Sequence, residues 1–324
     1  ARTFFSIYLP MASMSSRRAV AEVETTLLND GGLYVVAGPC STAGEDGRPA
    51  SYPRDGFVRF VAYSDTHSRA EWLAKPDADV MIHGGDFTMT GTNAEIDGFV
   101  AWLNELPYAH KIVIAGNHDL TLDMTVGDDG VPYYERAWQR FHRLNGKQDP
   151  DAARKAVIEA CTYLDDETAV IRRRDADGII EIVRRTSSDE DGEADSEGLV
   201  VTGSPWSPEF YDWAFNESRG VPIMKRWKKV LPHDVDVLVT HGPPAGFGDM
   251  TVTGVEAGCE DLLRLLHSGR IAPAAHVFGH IHEGFGVTTE TGTSSLDTTF
   301  INASNCTLKY KATNPPIVFD LPLT

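Results

Sequence analysis

The sequence predicts an α/β fold in which two sheets pack as layers. Short apolar runs rich in Val and Ile recur from residue 57 onward, helical patterns lie between some of them, and the last part of the chain is rich in strands. Short runs of this kind are typical of buried strands, and strands that alternate with helices before a strand-rich half favour a layered α/β sandwich. We expect one domain over residues 56–324, preceded by a partly irregular N-terminal extension at residues 1–55.

Six apolar runs are predicted to be buried strands, and each ends in a loop that contains polar residues. They are residues 57–64, 78–83, 111–116, 198–203, 235–242 and 276–279. Residues 168–185 predict a β-hairpin that turns at Asp177–Gly178. Residues 298–306 and 315–322 predict two further strands near the end of the chain.

Two helices are predicted from the spacing of apolar side chains. Residues 93–106 carry Ile, Phe, Val and Leu at helical spacing, with Asn93 as the N-cap. Residues 260–270 form the second helix, which Gly269 closes. The acidic run near residues 186–198 is predicted to be a solvated insertion in the domain.

Charge and composition narrow the classes of partner. The net charge of −18 argues against a nucleic-acid polymer, which is bound by a surplus of Lys and Arg. A small phosphorylated substrate is compatible with this charge if metal ions supply positive charge locally. No apolar run approaches the ~20 residues that span a bilayer, so no membrane partner is expected. The sequence is silent on the oligomeric state.

The cysteines favour a cytoplasmic location. The four of them are scattered without CxxC spacing, which fits neither a zinc framework nor a disulfide scaffold and indicates a reducing compartment. Residues 4–12 have some signal-peptide character but lack a clear cleavage pattern. Secretion is therefore the alternative and not the main expectation.

Ligand-type side chains recur directly after the predicted strands. They are Asp65 and His67; Asp86; Asn117, His118 and Asp119; His241; and His280 and His282. Each group lies beyond the carboxyl end of a strand, where open α/β sheets gather their ligand sites. A histidine pair in a glycine turn is ambiguous by itself, because such a pair is often only part of a polar loop. Five such loops in one chain predict a shared metal site.

The residue types suit a pair of divalent ions. A carboxylate can bridge two ions, and Asp86 is the natural candidate, while neutral imidazoles and an amide oxygen complete the ligand sets without excess negative charge. This mixed N/O set favours Mn, with Fe, Zn, Ni or Mg as alternatives. Such a pair would clamp the phosphoryl oxygens and provide a metal-bound hydroxide that attacks phosphorus. His118 would then stabilise charge or protonate the leaving oxygen, with Asp119 orienting its ring or raising its pKa.

The order of motifs DxH, GD, GNHD, H and GHxH resembles the calcineurin-like metallophosphoesterase superfamily. SDTHSR, LPYAHKIVIAGNHDL, GSPWSP, THGPPAGF and INASNCT resemble its branch of metallophosphoesterase-domain-containing proteins, the brain-type, class III phosphodiesterases. The likeness covers most of residues 57–322. It implies a four-layer α/β/β/α sandwich of two mixed sheets around a dinuclear centre, and an activity on small phosphodiesters, cyclic nucleotides (2′,3′ or 3′,5′) among them.

The resemblance also implies how the ligands divide between the two metals. The first metal would take Asp65, His67, Asp86 and His282, and the second would take Asp86, Asn117, His241 and His280. In some brain members of the branch a glycine replaces the first histidine of GHxH. This chain has His280 at that position, so all seven ligands are present and a fully active hydrolase is expected.

The sequence identifies the residues of the substrate pocket less clearly than the metal ligands. Arg69 could reach a phosphate from the first metal loop, or it could form a surface salt bridge. Trp206, in the aromatic segment 203–215, could stack a nucleobase or pack in the core. His83 lies inside a strand and is expected to be a core residue or to support a ligand. The alternatives to a phosphodiesterase are a phosphomonoesterase or protein phosphatase, a non-catalytic metal-binding adapter and a nuclease.

Overall fold

The computed structural model describes residues 19–22, 25–27, 33–35, 52, 56–143, 145–173, 179–185, 198–291 and 296–323. These residues form the four-layer α/β/β/α sandwich that the resemblance implied. Their strands are β1 (Ala19–Glu22), β2 (Thr25–Leu27), β3 (Leu33–Val35), β4 (Phe57–Tyr63), β5 (Val80–His83), β6 (His110–Val113), β7 (Thr162–Tyr163), β8 (Glu167–Arg173), β9 (Ile180–Arg184), β10 (Leu199–Ser204), β11 (Ser207–Pro208), β12 (Asn216–Glu217), β13 (Val237–Thr240), β14 (Ala275–Phe278), β15 (Gly286–Thr291), β16 (Thr299–Asn302) and β17 (Ile317–Pro322).

The helices lie outside the two sheets. They are α1 (Asn93–Glu105), α2 (Tyr133–Phe141), α3 (Pro150–Ala160), α4 (Val221–Val230) and α5 (Glu260–His267), with short 3₁₀ helices at Ala70–Trp72, Leu120–Leu122 and His282–Gly284. In the described part of the chain, none of the helices has the length and apolar character needed to cross a bilayer.

Two mixed sheets form the middle layers. One has the strand order β2-β3-β17-β4-β5-β6-β7, and the other has the order β1-β15-β16-β14-β13-β10-β8-β9. Within the first sheet β4, β5, β6 and β7 are parallel, and within the second β10, β13, β14 and β16 are parallel. A parallel bridge between Ser64 and Ser304 joins the ends of β4 and β16. The carboxyl ends of the parallel strands of both sheets therefore meet along one edge.

The side chains of β4 show how the layers are held together. Phe60 and Ala62 belong to the apolar cluster between the sheets, whereas Val61 and Tyr63 belong to the cluster that includes the helices. Successive side chains of a strand point to opposite faces of its sheet, and all four of these are buried. A strand covered on both faces reads as the continuous apolar run seen in the sequence.

The predicted helix at residues 93–106 is confirmed, but its N-cap is Thr92 and not Asn93. The Thr92 side chain accepts a hydrogen bond from the Glu95 backbone N–H, and the Glu95 carboxylate accepts one from the backbone N–H of Thr92. This reciprocal capping box satisfies two N–H groups that the first turn would otherwise leave unpaired. The second predicted helix is also confirmed, and Gly269 follows it with a φ of 69°.

The described residues of the predicted N-terminal extension include three short strands that pair with the two sheets. β1 pairs with β15 at one edge of the second sheet, while β2 and β3 extend the first sheet beside β17. Main-chain pairing with a sheet edge does not require a side-chain period, so the sequence gives little sign of it. The antiparallel pairing of β8 with β9 confirms the predicted hairpin. The Asp177–Gly178 turn and most of the acidic run lie outside the described residues.

Candidate metal centre

The structure brings the predicted ligands of all five loops together at the shared sheet edge. The loops after β4, β5 and β6 carry Asp65 and His67, Asp86, and Asn117. The loops after β13 and β14 carry His241, His280 and His282. Both sheets thus contribute ligands to the site. Strand ends that are distant in sequence become neighbours because their strands are parallel.

The possible ligand atoms form overlapping groups. His282 Nε2 lies 3.1 Å from Asp65 Oδ1 and 3.2 Å from His67 Nε2. On the other side, His241 Nε2 lies 3.3 Å from Asp86 Oδ2 and 2.8 Å from Asn117 Oδ1.

The Asp86 carboxylate connects the two sides. It belongs to one group with His67 and His118 and to another with His241 and His280, and within each group the ligand atoms lie within 4.8 Å of one another. This is the position that a bridging carboxylate would need.

Backbone carbonyls fix the tautomers of three histidines. His67 Nδ1 lies 3.1 Å from Thr88 O, His241 Nδ1 lies 2.9 Å from Gly84 O, and His282 Nδ1 lies 3.1 Å from Thr307 O. A carbonyl oxygen only accepts, so each Nδ1 carries the hydrogen and each neutral ring turns the lone pair of its Nε2 toward the centre.

The contact between His67 and His282 fits either a shared proton or a bound metal ion. Both Nε2 atoms carry lone pairs when the rings are neutral, and they face each other at 3.2 Å. Two lone pairs at this distance repel unless a proton or a metal ion lies between or beside them. Imidazole nitrogen and carboxylate oxygen together are the donor set of divalent transition metals.

The ionisation of the groups follows from burial and from their mutual contacts. Burial lowers the pKa of His67 to about 4 and that of His280 to about 3, so both rings are neutral at pH 7. Burial opposes protonation of His241 and His282 as well, but the carboxylates of Asp86 and Asp65 outweigh it and raise both pKa values to about 9. Without a metal the carboxylates thus draw protons onto two imidazoles, and metal binding would displace those protons.

The two aspartates are held in their charged form. Burial would raise the pKa of Asp65 and of Asp86, but the neighbouring imidazoles outweigh it and hold both well below the usual range. The backbone N–H of His280 donates to both oxygens of Asp65 at 3.0 Å, and Ser304 Oγ donates to Oδ2 at 3.0 Å. The backbone N–H of His118 donates to Asp86 Oδ1 at 2.7 Å.

Backbone strain is concentrated at the same loops. Asp65, His67, Asp86 and His280 have φ values of 51°, 44°, 55° and 68°. Residues other than glycine adopt this region rarely, and each such residue costs about 1–3 kcal/mol. Strain of this kind persists where the surrounding structure fixes the geometry, as it does at functional sites.

The glycines of the GNHD and GHxH motifs are required by close approach. A Cβ on Gly116 would collide with Oδ1 of Asp86, and a Cβ on Gly279 would collide with Oδ2 of Asp65. Only a residue without a side chain lets these loops come so near to the carboxylates.

His118 lies beside the centre, but its ring is held by other groups than Asp119, which we had predicted to orient it. Its Nδ1 lies 2.7 Å from Met89 O, and Trp213 stacks on the ring with centroids 4.2 Å apart. The carboxylate of Asp119 accepts hydrogen bonds from the backbone N–H groups of Asp86 and Gly116 at 2.9 and 2.8 Å, so it holds the metal loops together and does not orient His118.

Asp119 is a buried structural centre of this region. Thr88 donates to its Oδ1 from both the backbone N–H and the hydroxyl, at 3.0 and 2.7 Å. Burial and the charge of Asp86 raise the pKa of Asp119, and the hydrogen bonds from Thr88 and Gly116 oppose that rise. His83 has a similar supporting role, because it bonds Thr66 and the backbone N–H of Gly85 at 3.0 and 3.2 Å.

The two predicted substrate-binding residues are not brought to the cleft. Trp206 is only 7% exposed, and the guanidinium of Arg226 lies 3.4 Å above its ring, which favours the alternative of core packing. Arg69 is exposed at the start of a 3₁₀ helix. Among the described residues, neither belongs to the lining of the cleft at the metal site.

That cleft has a volume of about 360 Å³ and opens directly onto the site. Its walls include Phe210, whose ring lies edge-on to His280 at 6.0 Å, and Tyr310. The sequence prediction missed Thr88, Ser304 and Tyr310, whereas Trp213 belongs to the aromatic segment 203–215 that we expected near the site. Ser304 lies inside the predicted strand at residues 298–306, whereas the structure ends β16 at Asn302 and leaves Ser304 in the loop that follows.

Comparisons with known proteins agree with this geometry. A family model described as calcineurin-like phosphoesterase matches residues 58–284, a range that includes every predicted ligand. Metallophosphoesterase domain-containing protein 1 of Homo sapiens and of Mus musculus is in each case 40% identical over 268 residues, covering 82% of this chain and 72% of that protein. A UPF0046 protein of Caenorhabditis elegans is 35% identical over 272 residues, covering 82% of each chain.

Proposed function

Because the chain belongs to the calcineurin-like phosphoesterase family of metal-dependent phosphoric ester hydrolases, we propose that it is a dinuclear phosphodiesterase for small phosphodiesters, cyclic nucleotides among them. The observation that carries this proposal is that Asp86 belongs to two possible ligand groups, one with His67 and His118 and one with His241 and His280. The group formed by Asp65, His67 and His282 supports it, because imidazole nitrogen and carboxylate oxygen are the donor set of divalent transition metals.

The proposed ligand sets follow the two sides of the site. Asp65, His67 and His282 would hold the first ion, Asn117, His241 and His280 would hold the second, and Asp86 would serve both. Bound divalent ions would polarise the phosphoryl group and lower the pKa of water at the site to near neutrality. We propose Mn²⁺ as the favoured ion, with Fe, Zn, Ni or Mg as alternatives.

His118 is proposed as the acid that assists the leaving group. Its Nδ1 is committed to Met89 O, so Nε2 is the nitrogen that faces His67, Asp86 and the cleft. In the imidazolium form this Nε2–H can protonate the leaving oxygen while Trp213 and the carbonyl keep the ring in place.

The walls of the cleft favour diesters over monoesters. Outside the proposed ligands and His118, its charged lining residues are Glu209, Glu283 and Arg219. The guanidinium of Arg219 already donates to Gly258 O and Ala257 O, both at 2.8 Å. A dianionic monoester would therefore meet two carboxylates and no uncommitted cation among the described lining residues, whereas a diester brings a single charge.

The location in the cell is proposed to be cytoplasmic. Cys161, Cys259 and Cys306 are free thiols, as expected of a protein kept in a reducing compartment.

The proposal is tested by hydrolysis of bis-p-nitrophenyl phosphate and p-nitrophenyl phosphate by metal-stripped protein before and after addition of Mn²⁺. We expect no turnover without metal. After Mn²⁺ is added, the protein should hydrolyse the diester much faster than the monoester. A preference for the monoester would indicate a phosphatase. Absence of turnover with two ions bound would indicate a metal-binding adapter.

Replacement of His118 tests its proposed role. His118→Ala should retain Mn²⁺ and lose about 10²–10⁴-fold in kcat with poor leaving groups, but much less with p-nitrophenolate, which needs no proton. The measurement is kcat across a series of aryl diesters of increasing leaving-group pKa. An equal loss over the whole series would rule out proton donation by this ring.

A further inference from the structure

Tyr310 lies on a tight turn after β16 in an unusual conformation. The Tyr310 backbone N–H donates to Thr307 O at 2.8 Å, the Thr307 backbone N–H donates to Lys311 O at 3.0 Å, and Cys306 and Ala312 form a bridge at the base of the turn. Within this turn Tyr310 has a φ of 53°. Glycine or asparagine is the usual residue at such a position, and a bulky side chain there is a genuine outlier.

The strained turn brings the Tyr310 ring against three histidines of the site. Its centroid lies 4.8 Å from that of His67, 5.9 Å from that of His282 and 6.2 Å from that of His118. The same turn supplies the Thr307 carbonyl that fixes the tautomer of His282. The Tyr310 ring thus lies close to the two histidines proposed to hold the first ion and to the proposed acid.

The Tyr310 hydroxyl is an uncommitted donor in the cleft. Tyr310 lines the cleft together with His118, His280 and His282, and its hydroxyl makes no hydrogen bond within the described residues. Tyr63 and Tyr133 differ, because their hydroxyls donate to backbone carbonyls at 2.8 and 3.1 Å. An ordinary phenol keeps its proton at neutral pH and can donate it in a hydrogen bond.

We propose that the Tyr310 hydroxyl donates a hydrogen bond to a non-bridging oxygen of the phosphodiester and so acts as a catalytic residue. The inference rests on the proposed phosphodiesterase function. Negative charge grows on the non-bridging oxygens as the nucleophile attacks, so this bond strengthens toward the transition state. The phenol keeps its proton throughout, and the proton for the leaving oxygen comes from elsewhere.

The test is Tyr310→Phe, which removes only the hydroxyl and keeps the ring against His67. We expect kcat for bis-p-nitrophenyl phosphate to fall by about 10²-fold, the range seen when one preorganised donor is removed. KM, the Mn²⁺ content and the thermal unfolding midpoint should stay unchanged. Inhibition by orthovanadate, which can adopt the five-coordinate geometry of the transition state at phosphorus, should weaken in parallel.

Tyr211→Phe is the matched control. Tyr211 also has a positive φ, of 49°, and is 75% exposed beside the cleft residue Phe210, with ring centroids 4.6 Å apart. Loss of the Tyr211 hydroxyl should leave kcat and vanadate inhibition unchanged. The proposal would be overturned if Tyr310→Phe kept the wild-type kcat and the wild-type sensitivity to vanadate. It would also be overturned if Tyr211→Phe lost as much kcat, or if Tyr310→Phe lost its Mn²⁺. A wild-type protein without diesterase activity would instead overturn the proposed function.

Discussion

The two sides of the centre are not equally prepared to bind a metal. On the side of Asp65, both imidazoles, His67 and His282, are fixed through Nδ1 by backbone carbonyls. On the opposite side, His241 is fixed in this way, whereas the ring of His280 makes no hydrogen bond to any described residue. We call these the first and the second position, with Asp86 common to both.

The contacts around the two positions predict which of them binds a metal ion more tightly. Hydrogen bonds to the far nitrogen of a ligating histidine typically contribute 10–100-fold to metal affinity or activity. The first position is also held by the two backbone contacts and the Ser304 hydroxyl that bind Asp65. We therefore expect the first position to bind Mn²⁺ more tightly than the second, by about 10-fold or more.

The largest effect is expected where the two positions share a ligand. Asp86→Ala removes the carboxylate that would bridge them, and diester hydrolysis should fall by at least about 10³-fold together with the affinity for both ions. The measurement is kcat/KM with parallel Mn²⁺ analysis. Asp261→Asn changes another buried carboxyl, on α5 and outside the proposed ligand sets, and should keep full activity. Wild-type turnover by Asp86→Ala would mean that Asp86 does not bridge the two ions.

An intermediate effect separates the two positions. His282→Ala should lower the affinity of the first position by about 100-fold, whereas His280→Ala should weaken only the second position, by about 10-fold. Excess Mn²⁺ should therefore restore more activity to His280→Ala than to His282→Ala. Calorimetric titration of both variants with Mn²⁺ measures the affinity of each position. Each variant is the control for the other, because His280 and His282 belong to the same loop. Identical behaviour would contradict the asymmetry.

The smallest effect concerns the support of a ligand. Ser304→Ala removes one hydrogen bond to the charged carboxylate of Asp65, a contact of about 1.5–3 kcal/mol, and should lower Mn²⁺ affinity at the first position about 10-fold. Ser268→Ala removes a hydroxyl that donates to Leu265 O, away from the centre, and should leave the affinity unchanged. An unaltered first position in Ser304→Ala would mean that the hydroxyl does not support the ligand.

The sequence predicted the proposed ligands better than their supports for a physical reason. Ligand-type residues at strand ends are visible in the sequence, and parallel strands bring such ends together. The contacts that fix the ligands come from backbone carbonyls, such as those of Thr88 and Gly84, and any residue type offers a carbonyl. Asp119 illustrates the limit, because its neighbour in the chain is His118 but its hydrogen bonds go to backbone groups of other loops.

The fold shows the same division. The sequence predicted most strands of both sheets but not β7 or β15. The three N-terminal strands were not predicted either, because they join the sheets through main-chain pairing. The helices α2, α3 and α4 were not predicted. The N-cap of α1 was misplaced by one residue although the T-x-x-E signature of Thr92 and Glu95 was present in the sequence. Tyr310 could not be predicted, because its position depends on a strained turn.

We propose that the site binds two metal ions with unequal affinity and that both ions are needed to hydrolyse a diester. This proposal is tested most directly by titrating metal-stripped protein with Mn²⁺ in a calorimeter and measuring bis-p-nitrophenyl phosphate hydrolysis at each ratio. We expect two ions to bind per chain, the first more tightly than the second, and hydrolysis to rise only as the second ion binds. A single ion per chain, or full hydrolysis with one ion bound, would contradict the proposal.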